Sequence, residues 1–326
     1  MLALVLALLG QSAPTPSEAW TLPAARPCTA DEIRDLTAPS DTPFVLTCRA
    51  ALNGAAVSRR IVIEGAEASG AGLDCGGGAV GRPGARTTTQ TPTIAVWSRR
   101  LDGPRWSRPA DIVLRHCTVH GAVRIWGMGA GGRIDDLRQS SRTSGHTAAA
   151  QAAAPSHVVF EDVTFAATGS IPLYVGPGVT HTGVIDSRFI GRSDATAIYL
   201  DAESRDAEIR SVRFDIRTGR EVIAIDGSAS NLVMANRFAL GGRGGVFLYR
   251  NCGEDGVIRH QTPSDNVVVD NTFGGARLLN PRLVVVGARE GRRSYCGDDQ
   301  GWSFGSSVDD GDHATNNVVY RNRTLR

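Results

Sequence analysis

Two aspartates lie 25 residues apart at the ends of near-identical phrases, Ile198-Tyr-Leu-Asp201 and Ile223-Ala-Ile-Asp226. Each phrase alternates as a short strand does, so the isoleucines and Leu200 point one way while Tyr199, Asp201 and Asp226 point the other. Glu203 follows two residues on, and Arg250 ends a third phrase, Phe247-Leu-Tyr-Arg250. If the phrases stack as neighbouring strands, the two aspartates stand about 5 Å apart. Arg250 is then the next residue above them, and Glu203 and Tyr199 flank the column on one solvent-facing sheet. Paired carboxylates beside an arginine can do acid–base work, and the hard oxygens of Asp201, Glu203 and Asp226 suit Ca²⁺. The cofactor expectation is therefore Ca²⁺ or none. The plainer reading is that aspartates after strands cap turns and that Asp beside Arg is a surface ion pair.

The stretch Tyr249-Arg-Asn-Cys-Gly-Glu254, followed by Val257-Ile-Arg-His-Gln261, places Arg259 and His260 just beyond the same strand. His260 suits general acid or base work, although a single histidine in a coil is more often a hydrogen-bonded structural residue. Arg220 and Glu221 read as a pair with each other. Three further matches carry little. Gly301-Trp-Ser-Phe-Gly305 fits G-x-S-x-G without the strand and helix a nucleophile elbow needs. Gly127-Met-Gly-Ala-Gly-Gly132 fits a phosphate loop, but no helix is expected after it. Asp309-Asp-Gly-Asp312 lacks the length and terminal glutamate of an EF-hand and reads as a turn.

The elements that must position these residues recur along the chain. Strand-like phrases end at Val119, Phe165, Phe189, Phe214, Phe238, Phe273 and Thr324, and the steps from 165 to 238 are 24, 25 and 24 residues. A second phrase keeps the same period, at 123–127, 172–176, 198–201, 223–226, 247–250 and 284–287. Both are rich in Val, Ile and Phe and bounded by Gly, Asn, Asp and Ser. Helical periodicity is nearly absent, which excludes leucine-rich and βαβ repeats. Two or three short strands per unit describe one turn of a β-solenoid. Thr29-Ala-Asp-Glu32 is a capping box for a short helix through Leu36 that covers the first coil. Residues 129–156 read as a mobile loop inserted between coils, and 288–312 as a second excursion.

The Asn-x-Phe coil endings and Leu73-Asp-Cys-Gly-Gly-Gly78 resemble the right-handed parallel β-helix family of pectate-lyase-like and polygalacturonase-like proteins, over residues 61–326. The resemblance implies an all-β, right-handed parallel β-helix with a short N-terminal capping helix, preceded by a cap region at 20–60. It also implies a polysaccharide substrate. In the lyase-like members carboxylates bind Ca²⁺ and an arginine takes the α-proton. Asp201, Glu203, Asp226 and Arg250 match those residue types, with Tyr199, Arg205, Tyr249 and Arg259 as substrate contacts. In the hydrolase-like members Asp201 and Asp226 would instead share acid and water-activating roles, pushing each other's pKa apart. The reading taken is a lyase of an acidic polysaccharide. An inverting hydrolase, a uronate epimerase, and a non-catalytic glycan-binding or structural solenoid stand beside it. The enzyme readings require Asp201 and Asp226 on one exposed face within reach of Arg250.

The compartment follows from the start of the chain and the cysteines. Leu2 to Leu9 form an apolar run too short to span a bilayer, and Ser17-Glu18-Ala19 is an acceptable cleavage site, so residues 1–19 read as a signal peptide. A short buried strand is the alternative. The six cysteines fit no zinc spacing. After export they read as three disulfides, among which nearest-neighbour pairing gives Cys28–Cys48, Cys75–Cys117 and Cys252–Cys296. A secreted or periplasmic monomer without a membrane span is expected. The net charge of +2 implies no nucleic-acid partner, and all 35 basic residues are arginine.

Overall fold

The computed structural model describes residues 25–241, 243–275, 282–290 and 297–325. The leader and its cleavage site lie outside the described residues, as does Cys296 and with it the third expected disulfide. Nine short strands, from Phe44–Val45 to Val284–Val286, form one parallel sheet in which each strand pairs with its counterpart in the next coil. A larger sheet supplies two further faces. Its strands fall into two ladders, such as Glu208–Arg210 and Arg213–Thr218, that meet at a corner within each coil. The chain is a parallel β-helix. Among the described residues no helix is long and apolar enough to cross a membrane.

The corners explain the repeat. Asp111, His157, His181, Asp206, Ser230, Asp265 and Asn316 all have φ between 54° and 60°. Five residues after each comes a second left-handed residue: His116, Asp162, Asp186, Ser211, Ala235, Asp270 and Arg321. Asp, Asn and His tolerate this conformation better than other non-glycine residues, so the polar positions that bound each strand set where the coil bends.

Inside, the residues that end the sequence repeat form a continuous stack. Phe165, Phe189, Phe214, Phe238 and Phe273 are in register and buried, with centroids 4.4 to 5.0 Å apart. Each such aromatic pair contributes about 1 kcal/mol beyond its buried area. Two asparagine ladders hold the inner side of the corners. Asn236 Nδ2 donates to Asn271 Oδ1 at 3.0 Å, while Asn236 Oδ1 accepts from the Val212 amide at 2.9 Å. Asn231, Asn266 and Asn317 repeat the pattern. Buried amides that the curved backbone leaves without ladder partners are satisfied in this way.

At the N-terminal end α1 (Ala30–Thr37) has the expected capping box, with Thr29 Oγ1 accepting from the Glu32 amide and Glu32 accepting from the Thr29 amide at 2.8 Å. Its Leu36 is buried in the core. The Cys28–Cys48 and Cys75–Cys117 bonds are present. The insertion after residue 129 departs from the sequence reading. It is not a bare loop but contains α2 (Ile134–Ser141) and α3 (His146–Ala153). Asp135 and Asp136 favour the α2 start, and alanines, the best helix formers, fill α3. Thus a helix does follow the glycine phrase at 127–132.

Candidate functional site

The nine-stranded sheet presents two outward columns. One runs Arg124, Tyr174, Tyr199, Ala224, Phe247 and Val285. The other contains Asp201, Asp226 and Tyr249, two residues further along the strands. Asp201 and Asp226 follow the paired Leu200 and Ile225, so the structure brings the two aspartates together on adjacent coils. The third member differs. Asp226 pairs with Tyr249, one residue before Arg250, because the strand containing Phe247 begins at Val246.

The column is not open to solvent as expected. Asp201 is 5 % exposed, Asp226 0 %, Glu203 1 % and Arg250 3 %. Three stretches make the cover: residues 250–262, whose Asn251 and Arg259 bond the aspartates, the stretch whose Asp309 and Asp312 hold Arg250, and α2 and α3, which pack on Glu203 and residues 258–260. Ser141 Oγ accepts from the Ile258 amide at 3.0 Å, and Gln151 Nε2 donates to the Glu203 carbonyl at 2.9 Å. Met128, Leu137, Ala153 and Val257 form a small apolar core of their own.

Beneath this cover the carboxylates are fully engaged. Asp201 accepts from the Tyr174 hydroxyl, the Arg259 guanidinium and the Ala202 amide. Asp226 accepts from the Tyr199 hydroxyl, the Asn251 amide at 2.7 Å and Asn251 Nδ2 at 2.6 Å. Burial, then Asp201 nearby, outweighs the Arg259 charge and raises the Asp226 pKa to about 6. Burial opposes the charge on Arg259, but Asp201 and Asp226 more than offset it, and its pKa lies above the ordinary value. Burial and the neighbouring carboxylates raise the phenols of Tyr174 and Tyr199 well above theirs. These hydroxyls are protonated donors.

The other expected site residues scatter. Arg250 turns away from the aspartates and bonds Asp309, through its carbonyl at 3.0 Å and its carboxylate at 3.1 Å. Arg205 sits at a corner and pairs with Asp206 at 2.9 Å. Glu203 accepts from the Thr147 hydroxyl and, at 2.7 Å, from the His260 amide. His260 Nε2 lies 2.6 Å from the Ser141 carbonyl, and its ring sits between His146 and Phe304. That is the arrangement of a structural histidine. Asp312 is buried and accepts three backbone amides, from Arg250, Arg289 and Glu290, as a turn organiser does. A Ca²⁺ ion does not fit Asp201, Glu203 and Asp226: the oxygens of the two aspartates are taken by tyrosine, asparagine and arginine donors, and Glu203 faces α3.

Sequence reasoning missed several members of the face. Arg220 and Glu221 do pair, at 2.8 Å, but both also bond the Tyr249 hydroxyl, at 2.5 and 2.8 Å. An arginine lies over four rings of the face, two partly exposed and two buried: Arg124 over Tyr174 at 5.6 Å and Arg282 over Phe247 at 5.2 Å, then Arg220 over the buried Tyr199 at 5.9 Å and Arg289 over the buried Tyr249 at 4.2 Å. Tyr174, Phe247 and Arg220 remain partly exposed. Burial lowers the pKa of Arg124 to about 10. The two-residue alternation that turns Tyr199 away from the core does the same for Arg124, so the period contained that signal.

No protein-family model matches the chain, and no curated protein matches its sequence. Among solved structures it is similar to the Dettilon tailspike protein, at 11 % identity and a TM-score of 0.40, with 87 % of this chain and 54 % of the tailspike covered. It is also similar to a PL6 alginate lyase solved with a trisaccharide, at 11 % identity and a TM-score of 0.24, covering 78 % of this chain and 58 % of that one. A mutant of the periplasmic alginate epimerase AlgG matches at 9 % identity and a TM-score of 0.23, over 88 % of this chain and 79 % of the epimerase. The chain spans about half the length of the tailspike it matches.

Proposed function

We propose that this protein acts on an acidic, uronate-containing polysaccharide laid along the outer face of the nine-stranded sheet, and that it cleaves the chain by β-elimination. The observation that supports the substrate is the pairing of an arginine with each partly exposed ring of the face, Arg124 with Tyr174 and Arg282 with Phe247, with the partly exposed Arg220 between them over Tyr199. Sugar rings stack on aromatic faces, and guanidinium groups beside them pair with carboxylates. The two disulfides support a secreted or periplasmic setting, where such polymers occur.

Elimination needs a cation to neutralise the uronate carboxylate, a base for the proton beside it and an acid for the departing glycosidic oxygen. Arg220, about one-third exposed, serves the first need. The candidate base is Arg124, whose charge burial weakens; it is 5 % exposed and must leave the Val123 and Ile171 carbonyls to reach the sugar. The protonated Tyr174 and Tyr199 hydroxyls are the candidate acids. The Asp201/Asp226 pair is not offered for hydrolysis, because both carboxyls are buried and held by tyrosine, asparagine and arginine donors.

The test is to incubate the full chain with pectate, alginate, hyaluronan and a neutral glucan, following unsaturated-uronate absorbance and reducing ends together. Both signals should rise with an acidic polymer, and absorbance should fall at least tenfold in Arg124→Ala and Arg220→Ala proteins that remain folded. Reducing ends without absorbance would mean hydrolysis and would overturn the elimination reading. Solvent deuterium entering the sugar without either signal would mean epimerisation. Silence in all channels would remove the catalytic reading.

A further inference from the structure

A second charged surface lies on another face of the solenoid. Along the ladder that ends each coil, Arg188, Arg213 and Arg237 are directly in register on three adjacent strands. Four residues further along two of these strands, Arg192 and Arg217 are also in register. All five side chains are exposed. Like charges placed opposite each other on neighbouring strands destabilise a sheet, so this arrangement is unfavourable in the protein alone. Two acids relieve part of it: Asp215 pairs with Arg188 at 2.8 Å, and Asp194 with Arg192 at 3.0 Å. Among the described residues Arg213, Arg217 and Arg237 have no acidic partner within ion-pairing distance.

Room for a ligand exists at both ends of the patch. A depression of about 390 Å³ is lined by Arg213 and Arg237, by Asp215, which pairs with Arg188, and by Phe238, Ala239, Gly274, Gly275 and Leu325. Another, of about 490 Å³, is lined by Arg192 with its partner Asp194, Arg86 and the hydroxyl residues Thr87, Thr168 and Ser170.

We infer that the Arg188/Arg213/Arg237 ladder is a second binding surface for an acidic polysaccharide, which runs along the solenoid axis with its carboxylates meeting successive coils. Coils advance by about 4.8 Å, close to the length of one pyranose residue in an extended chain, so a polyuronate running along the axis keeps step with the arginines. This inference adopts the substrate class proposed above but assigns a different face, one that holds polymer rather than reacts with it.

The full chain is to be passed over immobilised polygalacturonate, dextran and single-stranded DNA in a salt gradient. A short oligogalacturonate is then titrated calorimetrically as a separate probe of the tyrosine face. Wild-type protein should be retained by polygalacturonate and not by dextran. The exposed double variant Arg213→Glu/Arg237→Glu should bind that polymer at least fivefold more weakly, with Arg213→Lys/Arg237→Lys close to wild type, since each lysine keeps the charge. Short-oligomer binding should be unchanged in both. Equal retention of the charge-reversed variant and wild type would overturn the inference while leaving the tyrosine-face reading intact. Tighter retention on DNA than on polygalacturonate would overturn the choice of partner. Loss of short-oligomer binding in a Tyr174→Ala protein that still needs the arginine ladder for polymer would leave the inference standing and locate the two sites separately.

Discussion

Asp226 combines the chemistry that suggested a site with the surroundings of a core residue. Its carboxylate is fully buried, yet it accepts from Tyr199 and twice from Asn251. Burial raises its pKa from 3.8 to about 6. A carboxyl whose folded pKa exceeds its unfolded value contributes stability that is complete below pH ~4 and lost as pH rises toward 6. Other carboxylates, such as Asp74 and Asp309, have lowered pKa values and act in the opposite sense, so the signal lies in a difference between proteins. Wild type should lose about 2–3 kcal/mol relative to Asp226→Asn between pH 4 and pH 7, read from urea midpoints at each pH. Parallel profiles would mean that the carboxyl titrates normally. The sequence exposed the pairing of Asp201 with Asp226 through their shared phrase. It could not expose their burial, because the cover is made by residues far along the chain, Asn251 and Arg259 on the aspartates and the inserted helices behind them.

At the scale of elements, that cover is the main departure from the sequence reading. The stretch 129–156 is rich in small residues, and its composition alone resembles a loop. Its helices become stable through contacts far along the chain, from Ser141 to Ile258 and from Gln151 to Glu203. Such contacts override local propensity and have no periodic signature. By contrast, the coils were legible because each repeats its neighbour: the phenylalanine stack and the polar corners recur at fixed spacing. The one-residue error at Arg250 arose where a strand begins at Val246 and ends at Tyr249. The insertion also has a titratable joint. His146 is buried at the start of α3, with Ser140 Oγ 3.0 Å from its Nδ1 and His260 and Arg259 facing it. Burial first, then those two neighbours, lowers its pKa to about 3. The unfolded segment takes up a proton near pH 6.5 and the folded one does not, so stability falls as pH drops through that window. Amide exchange in α2 and α3 should accelerate at least tenfold between pH 7 and pH 4.5, after correction for intrinsic rates, while the phenylalanine-stack coils stay protected. His146→Phe should reduce the effect, and unchanged protection in wild type would contradict it.

For the whole molecule, a solenoid converts sequence period into linear arrays: phenylalanines inside, asparagines at the corners, tyrosines and arginines on two outer faces. A one-dimensional ligand is the natural counterpart of such arrays. The central claim is that an acidic polysaccharide lies on the face that contains Tyr174, Tyr199 and Phe247, with Arg220 reading its carboxylates. The most direct measurement is calorimetric affinity for one oligouronate and for the same oligomer with its carboxylates reduced to alcohols, using wild type, Tyr174→Ala and Arg220→Ala. The account predicts binding of the acidic oligomer, at least tenfold weaker binding of the reduced one, and losses of about tenfold or more in both variants. Equal affinity for the two oligomers, or variants that bind like wild type, would contradict it.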